Sequence, residues 1–323
     1  MNGIASAVLL AFALGAVGVT AQSTPAAEVH LAKAKAAAGT EFAGVFNRIC
    51  NEAVPSAPAV SRPATPRPAG PPPRDTWHAE PVKVFDNLYF LGMKEFSAWA
   101  VNTSEGIIII DSLFDYSVDD EVVGGMKKLG LDPATIKYVI VSHGHADHSG
   151  GAKYLQDRFN AHVLLGAADW DLLDRSNGTK PRRDMVATDG QKLTLGDTTL
   201  TLYLTPGHTE GTISTLIPVR DGGRPHLAAA WGGTLFNFGP IRPRLEAYAR
   251  SAERFRDIVT KAGADIILSN HTQYDGTKAK LTALKTRKPG DRHPYVVGNE
   301  VVRRYLTVVN ECAQAALLIV PAT

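Results

Sequence analysis

The sequence predicts an α/β fold in which sheets pack together and helices cover the outside. Three observations carry this expectation. Strand-like and helix-like segments alternate from Trp77 onward, and do so twice over. The segment GIIIIDS (106–112) is a continuous apolar run, as expected of a strand covered on both faces. A chain of 323 residues that is 44% hydrophobic and 20% charged suffices for one large core with extra segments.

Taken in order, VKVFDNLYFLG (82–92) and SAWAVN (97–102) read as strands, followed by the buried run at 106–112. DYSVDDEVVGGMKKLG (115–130) is helix-like, with weak interior glycines at Gly124 and Gly125. The strand IKYVIVSH (136–143) leads into a histidine-rich turn, and GGAKYLQDRFN (150–160) reads as a helix. HVLLG, KLTLGDTTLTLYLTPGH, TISTLIPV and HLAAAWGG are strands, the second containing a turn at Gly196-Asp197. The helix LEAYARSAERFRDIVTKAG, the strand DIILSNH and two helices around TKAKLTALKTR and EVVRRYLTVVNECAQAALLI complete the pattern.

Before Trp77 the composition differs. An apolar run from about Ile4 to Val19, followed by Val19-Thr20-Ala21, predicts a signal peptide over 1–21. Its first residues carry no Lys or Arg, so an uncleaved anchor is the alternative; no other segment reaches the roughly 18 apolar residues of a membrane span. Residues 22–75 read as an N-terminal extension and Pro-rich linker: Phe42, Val45, Phe46 and Ile49 have helical spacing, whereas Pro55–Arg74 favours extended polyproline. The main domain is then 76–323, with helices at its end. Export predicts a periplasmic or secreted protein with no stable membrane association after signal cleavage. It also predicts a disulfide between Cys50 and Cys312, against the alternative of two buried thiols. The formal charge of +2 arises from 34 basic and 32 acidic residues without a basic stripe, which argues against nucleic acid and for a small-molecule partner.

In IKYVIVSHGHADHSGG a hydrophobic strand delivers His143, His145, Asp147 and His148 within six positions. Imidazole and carboxylate suit Zn²⁺, and a strand end followed by a turn aims several of them at one point. His208 and His271 end two further strands. Six donors suffice for two metals with an open position.

His-x-His-x-Asp-His after a strand, then Gly-His-Thr-x-Gly, then a strand-terminal His, resembles the metallo-β-lactamase superfamily from about Pro81 to Arg287. The resemblance implies a four-layer αββα sandwich and two zinc ions per chain. His143, His145 and His208 would hold one, and Asp147, His148 and His271 the other. Many lactonases, thioesterases and RNA-processing members carry an aspartate bridging the metals; here Gly232-Gly233-Thr234-Leu235-Phe236 puts Gly233 at that place and Thr234 where two β-lactamase subclasses have cysteine. The remaining β-lactamase subclass, with an Asp-His-His second site, is the most similar. The implied activity is opening of a β-lactam amide ring by metal-bound hydroxide, with Asp147 as the catalytic residue. The alternatives are a lactonase or esterase of the same superfamily, or a non-catalytic zinc-binding member. Asp111 is expected either to support a ligand-bearing loop or to cap a helix. Thr234, Asn237 and Tyr274 are expected at the rim as substrate-binding residues, with Lys180, Arg182 and Arg183 as charged alternatives. His162 and His226 are expected to be structural.

Overall fold

The structure, a computed structural model, describes residues 24–53 and 70–320. The expected signal peptide and most of the Pro-rich stretch lie outside the described residues.

Two helices, α1 (Pro25–Ala38) and α2 (Ala43–Ala53), and the single turn α3 (Arg74–Trp77) precede the first sheet. Its seven strands lie in chain order: β1 (Val82–Lys83), β2 (Leu88–Phe90), β3 (Trp99–Thr103), β4 (Gly106–Ile110), β5 (Ile136–Ile140), β6 (His162–Gly166) and β7 (Met185–Ala187). β1 to β4 pair antiparallel and β4 to β7 parallel. The parallel crossovers hold α4 (Gly124–Lys128), entered from a π-helical segment Asp119–Val123, then α5 (Ala146–Ser149), α6 (Ala152–Phe159) and α7 (Ala167–Arg175). The second sheet has five strands, β8 (Gln191–Leu195), β9 (Thr198–Leu204), β10 (Ile213–Asp221), β11 (Arg224–Trp231) and β12 (Ile266–Ser269), the last pairing parallel to β11. The remaining helices are α8 (Arg242–Ala262), α9 (Thr277–Leu284) and α10 (Asn299–Leu317). Two sheets with helices on their outer faces match the αββα sandwich.

The four-isoleucine run of β4 shows why a covered strand is apolar at every position. Successive side chains alternate faces. Ile108 and Ile110 point between the sheets, beside Ile140, Leu164, Leu200, Ile217 and Leu268. Ile107 and Ile109 point outward, beside Val139, Val163, Val122 and Leu155 under the helices. Burial of each such side chain contributes about 1.5–3 kcal/mol relative to exposure.

Against the second sheet, α8 and α10 pack through Phe255, Val259, Tyr305 and Val309, and the same core takes in Ala34 and Ala38 from α1, Phe42 from the turn that follows, and Val45 and Ile49 from α2. The helical part of the extension is thus built into the core. The Cys50–Cys312 disulfide joins α2 to α10 across a sequence separation of 262, with the Cα atoms 4.8 Å apart. The hairpin of β8 and β9 turns at Gly196-Asp197 with Leu195 opposite Thr198. Four elements were not expected: the single helical turns α3 and α5, the helix α7 and the three-residue β7. A strand of three residues is too short to show alternation.

Candidate metal centre

Every donor-bearing segment leaves a strand. β5 leads through Val141-Ser142 to His143, β9 through Thr205-Pro206-Gly207 to His208, and β12 through Asn270 to His271. The His143–His148 turn is closed by backbone bonds from His148 N and Ser149 N to His145 O, which start α5 and turn His145, Asp147 and His148 toward one another. The glycines that follow permit close packing. A Cβ on Gly151 would lie 2.3 Å from Ser112 O, so only glycine lets α6 approach the loop after β4.

The six expected donors converge. His208 Nε2 lies 3.1 Å from both His143 Nε2 and His145 Nδ1. Asp147 Oδ2 lies 3.1 Å from His148 Nε2 and 3.7 Å from His271 Nε2, and the two Nε2 atoms are 3.4 Å apart. His143, His145 and His208 form one group with donor atoms within 4.8 Å of one another; Asp147 and His148 form another that meets His143 as well as His271.

Hydrogen bonds to the opposite ring nitrogens fix which nitrogen faces inward. His143 Nδ1 donates to Gly232 O at 2.8 Å, and His208 Nδ1 to Leu235 O at 2.7 Å. His148 Nδ1 donates to Asp111 Oδ2 at 2.9 Å. Such partners orient imidazole ligands and raise their basicity. Burial, and then the neighbouring imidazoles, hold His143 well below the usual histidine range and His208 and His271 at about 3. Burial also lowers His145. These four rings are neutral and offer lone pairs. His148 differs: burial pushes it down, but the Asp147 and Asp111 carboxylates outweigh burial and raise it to about 10. Burial pushes Asp147 up, and the His148 and His271 imidazoles more than reverse it, leaving the carboxyl well below the usual range. Inward lone pairs beside an ionised carboxylate are a donor set that fits a divalent metal, usually zinc.

Asp111, for which support and capping stood as alternatives, is a supporting residue. It is 2% exposed and takes a left-handed backbone with φ 60°; Ser142 N and Oγ donate to its two oxygens at 2.7 and 2.9 Å. Two residues escaped the sequence reading. Asp169, on α7, is 1% exposed and accepts from Gly144 N at 2.8 Å, Thr209 Oγ1 at 2.6 Å and Gly211 N at 2.9 Å, so one carboxylate joins the first donor turn to the His208 turn. Asn270 Nδ2 donates to Gly232 O at 2.8 Å, beside His143.

The rim expectations need correction. Thr234 is 1% exposed, with its hydroxyl 3.1 Å from that of Tyr305, and Tyr274 is 2% exposed with its ring 5.5 Å from that of His271. Both are interior packing residues: Thr234 because the segment after β11 dives under the helices, and Tyr274 because the turn after β12, closed by a bond from its own N–H to His271 O, folds it inward. Asn237 is exposed on the following loop. Lys180 donates to the Leu173, Asp174 and Ser176 carbonyls at the end of α7. Arg183 pairs with Asp171, while Arg182 donates its backbone N–H to Gln156. His162 and His226 pair with Asp184 and Asp265.

A family model described as the metallo-beta-lactamase superfamily matches residues 97–222. A hydroxyacylglutathione hydrolase from Acidiphilium cryptum is 36% identical over 104 residues, which is 32% of this chain and 37% of the relative. A metallo-beta-lactamase type 2 from Bacillus sp. (strain 170) is 32% identical over 120 residues, 36% of this chain and 44% of the relative. In both cases the chain spans less than half of the relative's own length. Among solved structures, BJP-1, a subclass B3 metallo-beta-lactamase of Bradyrhizobium japonicum, is 25% identical with a TM-score of 0.60, covering 71% of this chain and 90% of that one. With the donor geometry, the family match and the shared fold in agreement, this chain carries a metallo-β-lactamase superfamily domain, that of a family of metal-dependent hydrolases.

Proposed function

We propose that this protein is a zinc-dependent hydrolase that opens the β-lactam amide ring. His143, His145 and His208 would hold one ion, and Asp147, His148 and His271 a second. The observation that supports this reading best is the place of Gly233. A Cβ there would lie 2.5 Å from His208 Cβ, so the backbone packs on a donor imidazole where other branches place a bridging aspartate. The second group is then Asp-His-His, with neither bridge nor thiolate.

Zinc on such ligands supplies Lewis acidity and makes hydroxide available from water near neutral pH. The chain's own residues supply direction. Asp147 keeps its carboxylate ionised between His148 and His271 and accepts a hydrogen bond from the attacking water, which fixes the line of attack. Asp111 holds the Nδ1 proton of His148 and so keeps Nε2 turned inward. Asn237, exposed on the loop after β11, would donate to a substrate carboxylate or amide. The disulfide suits an oxidising compartment and supports export to the periplasm or the medium.

Hydrolysis of a thioester, ester or lactone is the second reading, supported by the likeness to a hydroxyacylglutathione hydrolase and opposed by Gly233. The test is hydrolysis of a chromogenic cephalosporin by the purified protein with added zinc, beside a His145→Ala variant and a chelator control. Turnover lost in both controls is the expected result. Its absence from protein that has taken up two zinc ions would transfer the assignment to thioesters, esters and lactones.

A further inference from the structure

Arg244, in the first turn of α8, lies beside the three-histidine group without being one of its donors. Its Nε and Nη2 donate to Gly207 O at 3.2 and 3.1 Å, and Nη2 also donates to His208 O. The guanidinium lies over the Phe238 ring, 4.3 Å from its centroid. One planar group therefore touches both the turn that carries His208 and the loop whose Leu235 carbonyl fixes the His208 ring. The rest of α8 forms the same seat. Ser251 Oγ donates to Pro206 O at 2.8 Å and Tyr248 OH to Thr234 O at 2.9 Å, while a Cβ on Gly207 would lie 2.5 Å from Tyr248 Cα.

The charge of Arg244 makes its location informative. Among the described residues no carboxylate comes within ion-pair distance of it, although the charges of Glu210 and Asp169 reach it. A fixed cation beside a cation site opposes metal binding by Coulomb repulsion. Its contribution must therefore come from the directed fork of N–H donors, which a lysine lacks.

We infer that Arg244 is a positioning residue for the metal centre: its fork on the Gly207 and His208 carbonyls, braced by Phe238, sets the direction of the His208 donor. This inference rests on the proposed zinc ligation. It makes a prediction of opposite sign to electrostatics, since removing the positive charge should weaken zinc binding.

The experiment compares the zinc affinity of the wild-type full chain with that of Arg244→Gln and Arg244→Lys by chelator competition. Thermal unfolding of the metal-free proteins reports folding, and the visible spectrum of the cobalt-loaded proteins reports ligand geometry. Both variants should bind zinc about 10- to 100-fold more weakly, as is usual when a ligand's support is removed, with altered cobalt spectra and metal-free midpoints close to wild type. Unchanged or tighter binding by Arg244→Gln, or wild-type affinity in Arg244→Lys, would overturn the inference. A substrate-receptor role instead would appear as a raised KM for carboxylate-bearing substrates alone, at unchanged zinc affinity, and would equally overturn it. A wild-type protein that takes up no zinc would defeat the metal-centre reading itself.

Discussion

Asp147 meets two donor imidazoles through one oxygen, and its side chain keeps 21% of its surface exposed where His148 keeps none. A carboxylate so placed can hold a metal on one side and a water molecule on the other. Asp147→Asn preserves the volume and removes the charge. It should lower kcat about 100-fold or more, by the usual scale of a lost proton-handling group, a far larger effect than the loss of metal-free stability that follows from removing its charge beside His148. Equal losses in turnover and stability would remove the assigned role. The donors were legible in the sequence because their chemistry is concentrated: four within six positions, and two more at strand ends. Asp169 was not, because its partners are Gly144, Thr209 and Gly211, 25 to 42 positions away. Nothing around Ala167-Ala168-Asp169-Trp170 distinguishes it from a residue in the first turn of an ordinary surface helix. Asp111 lay between the two, marked by its place at the end of a buried strand but not by its partner.

Among the elements, the β10–β11 hairpin is tied to the segment after α9 by a two-pronged pair: Arg287 Nη1 and Nη2 donate to the two Asp221 oxygens at 2.8 and 2.6 Å. Hydrogen bonding from Arg287, opposed by burial and aided by its charge, holds the Asp221 carboxyl below its usual range. A depressed folded pKa contributes stability that is present above the unfolded value and is lost as pH falls through the folded one. Both side chains are 23% exposed, so about 1 kcal/mol is the scale. Arg287→Gln should therefore be less stable than wild type by about that amount at pH 7, and the gap should close below about pH 3.9, the ordinary aspartate value. Denaturant unfolding at a series of pH values checks this; a gap independent of pH would assign the loss to packing. The strands of this sandwich were legible from their apolar runs and from the Gly196-Asp197 turn. Besides the short β7 and α7, the exception at this scale is the loop after β11, read as a rim although Thr234 is drawn inward by Tyr305 and Tyr248 from two different helices. Such long-range packing leaves no local pattern.

For the molecule as a whole, the N-terminal helices and the last long helix form one body. Read from sequence, α1 is a run of alanines with little periodicity; folded, Ala27, Ala34 and Ala38 lie buried along one face. Small side chains allow close approach without announcing it as an apolar stripe. The Cys50–Cys312 bond closes most of the chain into a loop, and replacing both cysteines by serine should cost about 2–4 kcal/mol, read from denaturant unfolding and matched by reductant on the wild type. Intact mass with and without reductant verifies the bond. An unfolding curve indifferent to reductant would leave the helices held by packing alone.

The donors are shared between the two halves of the sandwich. His143, His145, Asp147 and His148 follow a strand of the first sheet, and His208 and His271 follow strands of the second. A cation gripped by both is then a rivet between layers otherwise joined by side-chain packing. By mass action, free metal a hundredfold above its dissociation constant adds about 2.7 kcal/mol to the folded state. The heat tolerance of this protein would thus track the zinc content of its surroundings, so that scarcity would be felt first as loosened architecture and only then as lost chemistry.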